Sequence, residues 1–164
     1  SPIIGETFQG GKIAYILQAG DPGYVSGEIR GLIAAPSDQS TGAPWGCSGT
    51  LIGGTSTLLG TGQANTTLIV NGCATVGIAA RLCDDLVIDG YNDWYLPSLD
   101  EIIKLFNNRE IIGGFDTVNG TYWTSHEGTN TQALKKEFFG YGNQTYPEKT
   151  TLLRVRAVRS FVLQ

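Results

Sequence analysis

Residues 90–101, Gly-Tyr-Asn-Asp-Trp-Tyr-Leu-Pro-Ser-Leu-Asp-Glu, constrain this chain more than any other stretch. They predict a short aromatic strand that stops at Pro97 and turns at once into a helix. Proline removes an amide donor and disfavours the helical region for the residue before it, so the strand ends there. Ser98 is placed to cap the helix, and Glu101 stands three residues on, the capping-box spacing. Beyond the cap, Leu99, Ile102, Ile103 and Phe106 fall on one side, a core-facing stripe. Trp94, Pro97, Ser98 and Glu101 are therefore assigned as framework, the hinge that joins sheet to helix.

The rest of the chain alternates short apolar runs with glycine-rich connections. Lys12–Leu17 reads as a strand, Gln18–Glu28 as a loop, and Gly31–Ala35 as a second short strand stopped by Pro36. Ser37–Gly62 is a long irregular segment. In a compact domain such a segment is functional or pinned by packing. Gln63–Leu86 is helical in character, with Ile78, Leu82 and Leu86 on one face. Gly72 and Gly77 interrupt it, giving two helices or a kinked one. Asp84, Asp85 and Asp89 near its end oppose the helix dipole and are expected to be solvated or paired. Thr121–Ser125 and Ala133–Phe139 are further strand candidates, and Gly140–Pro147 is a turn-rich loop. Thr151–Phe161 is the clearest strand, with Leu153, Val155 and Ala157 alternating with Arg154 and Arg156. Val158 then shares parity with the arginines, which indicates a bulge or a strand half-buried on both faces.

At 164 residues the chain is expected to form one domain, residues 1–164, with a sizeable core. No apolar run has the length of a membrane span. Ser1-Pro2-Ile3-Ile4 lacks a basic region leading into an apolar one, so no signal peptide is visible. That suits a cytoplasmic protein, a processed secreted one, or a domain of a longer chain.

Charge is sparse and uneven. Residues 1–100 carry three basic side chains against nine acidic ones, and residues 101–164 eight against six, for a net −4. With no basic patch and no basic balance, nucleic acid is excluded as a partner. Glycine supplies 23 residues, well above the usual share of about 7%. Together with frequent Thr, Asn and Ser, this is the composition of a turn-rich extracellular or phage-surface domain. Asn65-Thr66-Thr67, Asn119-Gly120-Thr121 and Asn143-Gln144-Thr145 fit the glycosylation sequon, as chance allows in a Thr-rich chain.

The cysteines, Cys47, Cys73 and Cys83, lack zinc spacing, and the lone His126 does not complete a site. Cys73 and Cys83 would lie about 15 Å apart along one straight helix, so Cys47 with Cys73 is the favoured disulfide. Three small buried residues is the alternative.

Catalytic and nucleotide-binding readings lack parts. The glycine clusters have no P-loop Lys-Ser/Thr and no dinucleotide fingerprint. His126 follows Ser125 directly, and sequence neighbours rarely form a catalytic pair. Asp21, Asp38, Asn92 and Asp93 supply oxygen donors, but no calcium spacing joins them. No metal site or cofactor is assigned, calcium being the one ion with candidate donors. The ligand-binding candidates are Trp45 in the long loop, Tyr141, Asn143 and Tyr146 in the Gly/Asn loop, and His126 and Glu127 beside them. Aromatic faces offer sugars an apolar platform, and amides and carboxylates bond hydroxyls. Trp94 and Trp123 read as core. Arg154, Arg156 and Arg159 form either a stripe for anionic groups or pairs with Asp100, Glu101 or other acids.

Three motifs together carry a resemblance. Gly90–Ser98 with Asp100-Glu101, then Tyr122-Trp123-Thr124-Ser125, then Arg154-Val155-Arg156-Ala157-Val158-Arg159 resemble, in order and spacing, the Legionella collagen-like adhesin C-terminal domain family. Gly31–Ala35 and Trp45-Gly46-Cys47 resemble its version in Bacteroidota surface proteins. The resemblance implies a secreted or surface-attached adhesin domain with an α+β, C-type-lectin-like fold: two main helices, a small antiparallel sheet and long loops. The named adhesin binds sulfated glycosaminoglycans and is trimeric, but the shared motifs are mostly framework residues and transfer no binding site. This chain is acidic, so a heparin-like ligand is not expected.

The function expected is a non-catalytic, extracellular or cell-surface binding module of a bacterium or phage, with a glycan or surface protein as ligand. The alternative is a structural subunit or cap of a surface filament, fibre or homo-oligomer. Formylglycine-type catalysis needs a reactive cysteine pair that the spacing does not provide.

Overall fold

The computed structural model describes residues 1–163. In chain order the strands are β1 (Thr7–Phe8), β2 (Gly11–Ile16), β3 (Ile29–Ala34), β4 (Ser40–Ala43), β5 (Thr121–Glu127), β6 (Ala133–Glu137), β7 (Gln144–Thr145), β8 (Leu153–Val155) and β9 (Val158–Leu163). The helices are α1 (Gly62–Gly72), α2 (Ala79–Asp84), α3 (Leu99–Asn107) and α4 (Arg109–Ile112). One sheet has the order β1-β2-β3-β9 and the other β4-β8-β5-β6-β7. The two-helix, single-small-sheet, C-type-lectin-like arrangement is thereby overturned. Among the described residues there are four helices and two sheets, and β5 pairs with β8 in parallel.

The reason lies partly in residues 151–161, which form two strands in different sheets. Val155 pairs with Ser40 in the second sheet, and Val158 pairs with Ala34 in the first. The phase slip at Val158 is therefore a crossing between sheets, not a bulge and not one strand half-buried on both faces. Arg156 fixes the crossing. Its guanidinium donates to Ala35 O at 2.7 Å, Asp38 Oδ1 at 3.0 Å and Gly113 O at 2.7 Å, and lies 4.0 Å from the Phe115 ring centroid.

The first sheet is covered on both faces, which explains why β3 is continuously apolar and buried from Gly31 to Ala34. Ile33 and Phe161 pack with Trp45, Ile69, Ile78, Trp94 and Trp123 on one face. Leu32, Ala34 and Val158 pack with Tyr95, Ile102, Leu105 and Phe138 on the other. In α3 the buried residues are Glu101, Ile102 and Leu105, while Leu99, Ile103 and Phe106 of the expected stripe are only half-buried.

The Gly90–Glu101 junction is built as a hinge. Tyr95 exchanges two backbone hydrogen bonds with Val158, of 2.8 and 3.0 Å. Ser98 Oγ accepts from Glu101 N, and Glu101 Oε1 accepts from Ser98 N at 2.8 Å, completing the capping box. Glu101 does more than cap. Its buried carboxylate also accepts from Gly60 N, Gly62 N and the Tyr95 hydroxyl, tying the start of α1 to α3. A Cβ at position 62 would stand 2.3 Å from Glu101 Oε1, so the residue there is glycine. Burial pushes the Glu101 pKa up, and the bonds from Ser98, Gly60 and Tyr95 offset only part of that.

The long segment before α1 is pinned by packing. A disulfide joins Cys47 to Cys73, and Cys83 is a buried free thiol. The Asn65 side chain accepts from Ser56 N and donates to Ser56 O and Ser125 Oγ. The first sequon asparagine is thus fully committed inside the fold. No described helix is long and apolar enough to cross a membrane.

Candidate binding site

At the end of β5 the chain turns sharply. Gly128 N and Thr129 N both donate to Gln132 O, and Thr129 Oγ1 accepts from Thr131 N and Gln132 N. The Tyr146 ring lies directly on this turn. A Cβ on Gly128 would stand 2.4 Å from Tyr146 Cδ1, so the missing side chain is what seats the ring. The His126 ring meets Tyr146 edge-on, with centroids 6.3 Å apart and planes at 67°. These residues with Thr129 and Gln132 line an open surface pocket of about 280 Å³. Tyr146 remains 43% exposed.

Thr55 anchors one nitrogen of the His126 ring. Thr55 Oγ1 accepts from Glu127 N at 3.0 Å and stands 3.1 Å from His126 Nδ1. Nδ1 is thereby engaged by the Thr55 hydroxyl, and Nε2 is the ring nitrogen that has no hydrogen-bond partner among the described residues. Burial holds the His126 pKa below its ordinary value, against an opposing pull from Glu127, which favours the neutral ring.

Behind the pocket is a buried ion pair. Glu127 Oε2 is 2.6 Å from Lys149 Nζ, and the carboxylate also accepts from Ile52 N and Gly53 N, both at 2.8 Å. Burial works to raise the Glu127 pKa. The Ile52 amide, the Lys149 ammonium and the Gly53 amide outweigh it and hold the carboxyl below its ordinary range. Lys149 also donates to Thr50 O and lies 4.7 Å from the Trp45 ring centroid.

This geometry sorts the sequence candidates. His126 and Tyr146 come together in one pocket. Glu127 faces inward and is spent on structure. Trp45 is 1% exposed and its indole donates to Thr124 O at 2.9 Å, so it has no face to offer a sugar. It supports the Lys149–Glu127 pair from beneath instead. Tyr141 is 100% exposed and Asn143 is exposed, but neither lines the pocket. Trp94 and Trp123 are buried.

The three arginines form no anion-binding stripe. Arg154 pairs with Asp38 and Asp116, Arg156 with Asp38, and Arg159 with Asp93. The pairing with acids is as expected, and the acids are Asp38, Asp93 and Asp116 rather than the named Asp100 and Glu101. The calcium donors do not converge either. Asp38 and Asp93 hold those arginines, and Asp21 accepts from the Tyr15 hydroxyl and Gln18 N. No group of three or more His, Cys, Asp or Glu among the described residues is arranged to hold a metal.

Thr55, Gly128, Thr129, Gln132 and Lys149 were not legible as parts of the site. The one local signal was Glu-Gly-Thr-Asn at 127–130, a turn sequence placed directly after an aromatic strand.

No protein-family model matches the chain, and no curated protein matches it. Among solved structures it is similar to a fimbrial protein from Bacteroides ovatus ATCC 8483, with a TM-score of 0.57 at 16% identity. The match covers 79% of this chain and 35% of that one, so this chain spans about a third of the fimbrial protein's length. At that identity the likeness is one of fold.

Proposed function

We propose that this chain is a non-catalytic module of a bacterial surface filament, acting outside the cell as a structural subunit or cap. The observation that carries this reading is the fold likeness to a fimbrial protein over 79% of the chain. The Cys47–Cys73 disulfide supports it, because such bonds form and persist in oxidising compartments. So does the sparse surface charge, which suits packed subunits. Kinship with the Legionella collagen-like adhesin family in its Bacteroidota version rests on the sequence motifs alone. The test is self-association. Sedimentation velocity over a wide concentration range, alone and with the other surface proteins of the producing cell, should reveal assembly into larger species. A chain that stays monomeric under every such condition contradicts the reading.

A second reading is adhesion, with the pocket between His126 and Tyr146 as the contact. It is supported by an aromatic ring seated on glycine and left open to solvent on its other side. The two readings are compatible in a filament cap.

A further inference from the structure

The pocket between His126 and Tyr146 has both hydrogen-bonding senses and no available cation. Its uncommitted groups are His126 Nε2, the Tyr146 hydroxyl and Gln132 Oε1, the Thr129 hydroxyl being engaged with Thr131. Sugar hydroxyls both donate and accept, and such a mixed set answers them. Lys149, the cation behind the pocket, is fully buried and committed to Glu127 and Thr50. At the rim, Gln132 Nε2 donates to the Glu148 carboxylate, so the charge an incoming group meets there is negative. A sulfated or sialylated glycan would be repelled at that rim and find no counter-charge. The cavity, at about 280 Å³, lies just below the roughly 300–1,000 Å³ typical of drug-sized ligand sites. It therefore seats one ring, and its open side would leave further sugars of a chain in solvent.

We propose that this pocket binds a single neutral saccharide ring, stacked on the open face of Tyr146 and hydrogen-bonded by His126 and Gln132. The inference rests on the adhesion reading and names the ligand class for it. A neutral pyranose presents an apolar C–H face to Tyr146 while its edge hydroxyls reach the two flanking side chains.

The test is amide-resolved NMR titration of the intact chain with the methyl glycosides of neutral hexoses and N-acetylhexosamines. Sialyllactose and a sulfated heparin disaccharide serve as charged comparisons. The expected result is that at least one neutral glycoside shifts the amides of His126, Gly128 and Gln132, with no weakening in 0.5 M sodium chloride. Tyr146→Ala should weaken that binding about tenfold, and Tyr141→Ala should leave it unchanged. Should Tyr146→Ala fail to fold, the wild-type shift map and Gln132→Ala decide the matter. Three results would overturn the proposal: no neutral glycoside shifting these amides, salt-sensitive binding of the charged glycans alone, or shifts mapping elsewhere. If cells or proteins still bind through Tyr146 while every glycoside fails, the adhesion reading survives and the saccharide assignment does not.

Discussion

Glu127 and Lys149, 22 residues apart in sequence, stand 2.6 Å apart with side chains 3% and 0% exposed. The pair fastens three segments: the end of β5, the loop at Thr50–Gly53 and the turn after Pro147. Removing one partner leaves a buried charge without its counter-ion. Lys149→Met should therefore cost about 3–5 kcal/mol in urea unfolding, and the double variant Glu127→Gln/Lys149→Met less than that. The pH dependence follows from the sign of the shift. The folded-state pKa of Glu127 is depressed, so its contribution is present above the unfolded value and is lost as pH falls through the folded one. Glu127→Gln should flatten the acid limb of the stability profile. An acid limb identical to wild type would remove Glu127 from this role.

Gly128 is required for space, because the Tyr146 ring occupies the volume of its absent side chain. Gly128→Ala should leave stability within about 1 kcal/mol, since the turn is at the surface, yet displace the ring. NMR contacts between Tyr146 and residue 128 should disappear, along with any ligand response at His126. Retention of those contacts would contradict the seat.

The Cys47–Cys73 bond closes a loop of 26 residues between the long segment and the end of α1. Chain-entropy reasoning puts its contribution at about 3 kcal/mol. Cys47→Ala/Cys73→Ala should unfold at correspondingly lower denaturant, and non-reducing peptide mapping of the parent should recover the two cysteines linked. A map joining Cys83 to either would be incompatible with the fold.

Ser98 caps α3 through its side chain. Ser98→Ala should cost about 1 kcal/mol, lowering the melting temperature by about 2–4 °C for a chain of this size. An unchanged melting temperature would mean that Glu101 alone holds the junction.

That junction was the most readable part of the chain, because capping is local: Ser98, Glu101 and their backbone partners lie within four residues. Features that depend on distant partners were not readable in the same way. Trp45 sits in irregular sequence, and nothing local reveals that Thr124 and Lys149 close over it. The parity slip at Val158 was visible, but its cause is that Ala34 and Ser40 belong to different sheets. The charge of Glu127 was visible too, while its burial depends on Lys149. Tyr146 was singled out by a polar loop, and its seat on Gly128 exists only once β5 and the Pro147 turn meet.

The most direct test of the filament reading is immunogold electron microscopy of the producing cells with antibody against this chain. Gold is expected along, or at the tips of, filaments outside the cell, lost on deletion of the gene. Label confined to the cell interior, or spread without relation to any filament, would contradict it.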